Sequence, residues 1–237
     1  MNCLIIAAGH GSRLREISPS KPLTAVAGTP LIERVVRAAA AGGATAFTVV
    51  TGHEAERVEA FLADLAAQLG VPIRPVRIAD WDLPNGHSVL AGAAAIDGDY
   101  LLMMSDHLFD PDIVALLIAA PAAPLILAID RDLANPLLDM DDATKVAVND
   151  DGAIVGIGKT LAPFDAIDTG LFRATPALAD AIRAAVAAGG AGSLSEGVQA
   201  LARDGGAMTL EIGGRRWLDV DDPVALAKAE AMLAAAG

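Results

Sequence analysis

Three short stretches of the chain, and a looser fourth group, carry residue types that handle phosphate and metal chemistry. The first runs Ala7-Ala8-Gly9-His10-Gly11-Ser12-Arg13, followed by Lys21 in Lys-Pro-Leu. A small-residue turn leaving a buried strand exposes backbone N–H groups, which cradle phosphates or the edge of a base. A Walker A loop would need Gly-Lys-Ser/Thr after four residues, and that is absent. A dinucleotide fingerprint would need glycine where Leu14 stands and a helix opening at the turn, yet Pro19 and Pro22 lie downstream. A tight turn alone would explain the glycines but not Arg13 and Lys21 beside them. The chain has only Lys21, Lys145, Lys159 and Lys228 as lysines. One placed between Ser-Pro-Ser and Pro-Leu reads as an anion contact.

The second stretch, Ser105-Asp106-His107, follows the apolar run Tyr-Leu-Leu-Met-Met. Open α/β sheets bind ligands at the carboxyl edge of their strands, where a carboxylate suits inner-sphere contact with Mg²⁺. A loop-stabilising or helix-capping aspartate is the plainer alternative, and His107 can be structural or functional. The third is Arg216-Trp217-Leu218-Asp219-Val220-Asp221-Asp222. On a strand, residues 219 and 221 share a face, and paired carboxylates repel unless a cation sits between them. Asp222 before Pro223 reads as an N-cap, which leaves Asp219 and Asp221 as partners for Asp106. The last group is Lys145, Lys159 and Asp168. The lysines stand near strand ends, where they could reach a phosphate or protect an edge; an aspartate inside an apolar strand is costly without hydrogen-bond donors, such as ligand hydroxyls.

Alternating apolar runs and alanine-rich stretches must position these groups, the pattern of an α/β fold with a mostly parallel sheet flanked by helices. Strands are expected at 3–8, 46–51, 73–77 and 100–104, with helices from Thr29-Pro30 to Gly42, at 54–68 and at 88–96. Beyond Pro124, segments 144–148 and 153–157 read as a hairpin around Asn149-Asp150-Asp151-Gly152. A strand follows at 166–172, then helices at 176–188 and 194–203. Segments 207–212 and 216–221 are expected to pair around Gly213-Gly214, before a last helix from Pro223. Gly189 to Gly192 is the one flexible-looking stretch. No repeat or boundary divides the chain, so one domain over 1–237 is expected, in two halves that meet at about residue 130.

Composition narrows the function. The 237 residues are 54% hydrophobic with a mean hydropathy of +0.47, which excludes disorder. The uncharged run from Ile113 to Ile129 is broken by Pro121 and Pro124 and falls short of the ~20 residues of a membrane helix. A net charge of −13 opposes nucleic-acid or anionic-membrane partners, so an anionic substrate must meet local cations or a metal ion. A single cysteine, Cys3, excludes a disulfide framework, and the N-terminus has no basic segment of a signal peptide. A cytoplasmic protein is expected.

In their order and spacing, Gly-x-Gly-x-Arg with Lys-Pro-Leu, Asp106 and Trp-Leu-Asp resemble the nucleotidyltransferases with a GT-A-like, Rossmann-like fold. Asn85-Gly86-His87-Ser88, Ser105-Asp106-His107, Ala143-Thr144-Lys145-Val146, Ile157-Gly158-Lys159, Phe164-Asp165, Ile167-Asp168-Thr169-Gly170 and Leu194-Ser195-Glu196 narrow it. They are similar to the CTP:inositol-1-phosphate cytidylyltransferases, the cytidylyltransferase half of the bifunctional enzymes leading to di-myo-inositol phosphate. The resemblance runs from about Leu4 to about Leu233. It implies that Ala7, Ala8, Gly9 and Gly11, with Asn85, Gly86 and Ser88, hold the nucleotide. It makes Arg13 and Lys21 the catalytic cations at the triphosphate. Asp106, with Asp219 or Asp221, would take Mg²⁺, and Lys145, Lys159 and Asp168 would face a small phosphorylated acceptor. The chain stops at Gly237 without the membrane-embedded synthase half, so a separate downstream synthase is expected, and a homo-oligomer is compatible. Other acceptors (sugar 1-phosphates, phosphocholine, phosphonates) and other bases share this core. A silent nucleotide-sensing subunit is the non-enzymatic alternative.

Overall fold

The computed structural model describes residues 1–235 of the chain. The first half runs β1 (Asn2–Ala7), β2 (Ala25–Val26), β3 (Thr29–Pro30), α1 (Leu31–Ala41), β4 (Ala46–Thr51), α2 (Ala55–Leu69), β5 (Ile73–Arg77), α3 (Gly86–Ala93), β6 (Tyr100–Met104), β7 (His107–Phe109) and α4 (Pro111–Ala119). The second continues with β8 (Leu125–Asp130), β9 (Lys145–Val148), β10 (Ile154–Gly158), β11 (Ala166–Ala174), α5 (Pro176–Ala187), α6 (Leu194–Arg203), β12 (Ala207–Glu211), β13 (Trp217–Asp219) and α7 (Pro223–Ala234).

The main sheet has the order β10-β9-β11-β6-β1-β4-β5, with β8 joining β11 to β12. Strands β5, β4, β1 and β6 are mutually parallel, as is β12 beside β8, while β11 and the β9–β10 hairpin run antiparallel. Helices cover both faces, so β1 is apolar on both. Cys3 and Ile5 join the core with α1, α2 and α4, whereas Leu4 and Ile6 join the core with α3, α5 and α6. That is why the central strands read as unbroken apolar runs rather than alternations. Helix α1 buries Leu31, Ile32, Val35, Val36 and Ala39, the i, i+4 stripe of an amphipathic helix.

Most expected elements form within two or three residues of their expected ends. Three expectations are corrected. Pro30 stands at the N-cap of α1 rather than inside its first turn, and Thr29 does not cap it, because Thr29-Pro30 pairs with Ala25-Val26 as β3. Segments 207–212 and 216–221 do not pair with each other. Strand β12 lies parallel to β8, and β13 runs antiparallel to β7. Gly213 and Gly214, at φ 61° and 76°, carry the chain between two sheets instead of closing a hairpin. Finally, 189–192 is held: Glu196 accepts from the backbone N–H of Ala191, Gly192 and Ser193 while Ser193 caps α6. Among the described residues, no helix is long and apolar enough to cross a membrane.

Strand β11 is the element that shapes the site. Its pairing with β8 shifts register between Asp168 and Phe172, and Gly170 takes φ 74°. Such an irregularity re-aims a side chain. Here Asp168 leaves the apolar pattern of its strand and accepts from the Gly170 N–H at 2.7 Å. A Cβ at Gly170 would lie 2.7 Å from the His107 ring, so glycine lets β11 close on Ser105-Asp106-His107.

Candidate active site

The glycine turn leaves the carboxyl end of β1 and borders a cavity of about 240 Å³. Ala7, Ala8, Gly9, Gly11, Lys21, Asn85, Ser88 and Asp106 line it, together with Trp81 and Leu83. Gly11 is left-handed at φ 60°, and a Cβ there would overlap the Lys21 side chain. The glycine therefore serves a close approach that brings Lys21 across the turn to the end of β6. Gly86 does not line this cavity. A Cβ on it would overlap the Gly192 carbonyl, so it seats α3 against the loop before α6, where Asn85 Oδ1 accepts from Leu194 N–H at 2.9 Å.

A chain of alternating charges crosses the mouth. Lys21 Nζ pairs with both Asp106 and Asp221, and Arg13 Nη2 bridges Asp221 and Asp142 at 2.5 Å each. Lys159 meets the other oxygen of Asp142. Behind Lys21, His107 Nδ1 lies 2.8 Å from Asp106 Oδ1 and 3.8 Å from Asp219 Oδ1. Burial would raise the Asp106 carboxyl, but the Lys21 ammonium and His107 hold it well below the usual carboxylate range. For His107, burial favours the neutral ring, yet Asp219 and the hydrogen-bonded Asp106 push it up to about 8. Asp168, desolvated and only partly compensated by the Gly170 N–H, is pushed up to about 6. Asp219 is raised by desolvation and by the negative charge of Asp106, against the pull of His107.

A second cavity, of about 640 Å³, shares Asn85 and Met104 with the first, so the two form one cleft. Arg13, Lys159, Asp168, Ser195, Asp219 and Asp221 line it, and residues 137–144 cover part of its wall. Lys145 is not among its lining residues; its ammonium donates to the Met140 carbonyl at 2.7 Å. Lys228 donates to the Pro136 carbonyl at 2.9 Å. All four lysines thus meet the cleft or the segment that walls it. Asp142, which ties that segment to Arg13 and Lys159, was not singled out from the sequence. Its only signal was the acidic run Asp139-Met140-Asp141-Asp142.

The Asp106 and Asp219 carboxylates suit a hard divalent cation, whereas the His107 imidazole beside them is not a ligand that such an ion prefers. Ligand atoms of Asp106, His107 and Asp219 lie within 4.8 Å of one another, and Asp219 Oδ1 is shielded from solvent with no hydrogen-bond partner. A shielded, unpaired carboxylate oxygen beside a second carboxylate is what a bound cation would reconcile, and oxygen ligands are those Mg²⁺ prefers. Asp221 stands outside this trio, engaged by Arg13 and Lys21.

The chain is similar to known proteins. A bifunctional IPC transferase and DIPP synthase of Rubrobacter xylanophilus is 35% identical over 232 residues, covering 97% of this chain and 51% of the relative. The chain therefore spans about half the length of the curated relatives it matches. Among solved structures, the inositol-1-phosphate CTP transferase from T. maritima superposes with a TM-score of 0.87 at 22% identity, covering 98% of this chain and 94% of that one. UDP-glucose pyrophosphorylase in complex with UDP-glucose gives 0.79 at 16% identity, covering 100% and 99%. The fold is thus the GT-A-like fold of nucleotidyltransferases. The model of the MobA-like NTP transferase domain matches residues 3–210, from β1 through β12 and across the whole glycine turn and Asp106 edge. By that match the chain belongs to the MobA-like NTP transferase family.

Proposed function

We propose that the chain transfers CMP from CTP to inositol 1-phosphate, giving CDP-inositol and pyrophosphate. The observation that carries the reading is one cleft with a glycine turn and Lys21 at one end, Lys159 and Asp168 at the other, and paired carboxylates between. The names of the similar proteins supply the base and the acceptor.

In this reading a phosphate oxygen of the acceptor attacks the α-phosphorus of CTP in line, and the bond to the β-phosphate bridging oxygen breaks. The acceptor phosphate is already anionic near neutral pH, so no general base is required. The barrier is bringing two anions together and stabilising charge on the α-phosphate. The turn Ala7-Ala8-Gly9 with Asn85 and Ser88 would hold the base and ribose, and Arg13 and Lys21 would exchange their carboxylate partners for triphosphate oxygens. Lys159 would hold the acceptor phosphate and Asp168 a ring hydroxyl. Lys145 would contribute by holding the wall of the cleft. Asp106 and Asp219, with Asp221 in reach, would hold Mg²⁺. When bound, the ion supplies neutralisation of triphosphate charge in a protein of net charge −13. Residues up to about 130 would carry the nucleotide and those beyond the acceptor, in a single cytoplasmic domain.

The test is pyrophosphate release from the purified protein with Mg²⁺, CTP and inositol 1-phosphate, each omitted in turn. Turnover that needs all three is expected. Turnover with UTP in place of CTP, or with glucose 1-phosphate in place of inositol 1-phosphate, at equal kcat/KM would overturn the base or the acceptor assignment respectively.

A further inference from the structure

Trp81 stands on the rim of the smaller cavity, half-buried, beside Gly9, Gly11, Ser88 and Asp106. It is one of two tryptophans in the chain. The other, Trp217, is buried and donates its indole N–H to Asp130 at 2.9 Å, a structural duty. Trp81 stands in a loop but packs against Gly52, His10 and His53. A Cβ at Gly52 would overlap its Cβ and lie 2.9 Å from the Ala8 carbonyl, so glycine lets Trp81 and the glycine turn close on the end of β4. Two imidazoles brace it: His53 and His10 have ring centroids 5.1 and 5.9 Å from Trp81 and 4.3 Å from each other. His53 is itself fixed, its backbone N–H bonded to the Ala8 carbonyl at 2.9 Å and its ring nitrogen 3.3 Å from the Pro19 carbonyl. An aromatic packed on a cavity rim by its neighbours has fewer rotamers left to lose, so a flat ligand can use its face at a reduced entropic cost.

We infer that Trp81 is a stacking platform for the nucleobase, braced by His10 and His53. This rests on the nucleotidyltransferase reading of the cleft. Stacking accepts any base, because each has a π-face, and truncating such a platform to alanine weakens binding by roughly tenfold to a hundredfold. The base is therefore gripped by Trp81 but chosen elsewhere, by polar groups of the turn and of the Asn85 segment.

The experiment compares Mg²⁺–CTP with tripolyphosphate, which has a similar charge and no base. Binding is measured by calorimetry for the wild type, Trp81→Ala and Trp81→Phe, with tryptophan emission followed alongside. The wild type should bind CTP with quenched emission. Trp81→Ala should lose tenfold or more of its CTP affinity while tripolyphosphate binding stays within twofold. Trp81→Phe should recover most of the affinity but lose the quench, since only Trp217 remains to report. Unchanged CTP affinity in Trp81→Ala would overturn the platform and leave the nucleotidyltransferase reading intact. Equal losses for CTP and tripolyphosphate would make Trp81 a prop of the glycine turn and overturn it too. A wild type that binds no CTP would overturn both.

Discussion

At the scale of single residues, the cleft places carboxylates closer together than stability alone would favour. Asp219 has an oxygen that is shielded and unpaired, beside Asp106 and within 3.8 Å of His107. Its folded pKa is raised, chiefly by desolvation, and a carboxyl raised on folding favours the protonated chain. It contributes stability below its unfolded pKa, loses that contribution as pH rises through the folded value, and is a liability when ionised. The side chain is 39% exposed, so solvent screening reduces the penalty. Asp219→Asn keeps the shape and removes the charge. Without Mg²⁺, its Tm is expected to rise by about 2–4 °C, the equivalent of roughly 1 kcal/mol for a chain of this length. Turnover is expected to fall at least a hundredfold, the usual trade between stability and a charged site. Thermal melts with and without Mg²⁺, beside pyrophosphate release, read both effects. A lower Tm with normal turnover would make Asp219 a structural residue. This residue was legible because the sequence reads as a strand with carboxylates two apart, although β13 ends at Asp219 and Asp221 turns to Arg13 and Lys21 instead. Asp142 was not, because nothing in an acidic run tells which member a fold will turn toward Arg13 and Lys159.

At the scale of elements, local signals carried the reading wherever partners are neighbours in sequence. Strands β1, β4 and β6 are buried on both faces, and the β9–β10 hairpin turns on Asn149 and Gly152, so each was visible in its own residues. The error over 207–221 arose because Gly213-Gly214 looks like a hairpin turn, while the true partners, β8 and β7, lie some 80 to 110 residues away. Long-range pairing has no local signature. The segment between β8 and β9 shows the same limit, since its conformation is set by clamps from elsewhere. Lys145 holds Met140, Lys228 on α7 holds Pro136, and Arg131 reaches Asp165 and Glu211. A charged donor on a partly exposed carbonyl is worth about 1 kcal/mol, or ~fivefold in a local opening equilibrium. Replacing both Lys145 and Lys228 by Met should therefore speed chymotryptic cleavage between Leu137 and Met140 by at least tenfold, with global Tm changed by no more than two or three degrees. Cleavage at the wild-type rate would show that the two lysines do not hold the segment.

At the scale of the whole molecule, a charge of −13 and a polyanionic substrate pull in opposite directions. The cations of the cleft (Arg13, Lys21, Lys159, Lys228) are few, and all but Lys228 face a carboxylate. From a distance the approaching triphosphate therefore meets net repulsion, and attraction begins only within the cleft. Ionic strength separates the two regimes. The screening length is ~30 Å at 0.01 M salt, about the size of the molecule, and ~10 Å at 0.1 M, about the reach of the cleft alone. Raising monovalent salt over that interval should mask the distant surface charge while sparing short-range contacts that are partly desolvated. At fixed saturating Mg²⁺, kcat/KM for the nucleotide is expected to rise two- to fivefold between those concentrations and to fall again above ~0.3 M, as the local contacts are screened in turn. A monotonic fall from the lowest salt, the behaviour of an enzyme with a positive funnel, would mean that the cleft cations project beyond the acidic surface. The same series in Lys159→Met separates the ends of the cleft. If Lys159 acts at close range on the acceptor, the rising limb for the nucleotide should keep its slope, and only the acceptor KM should increase.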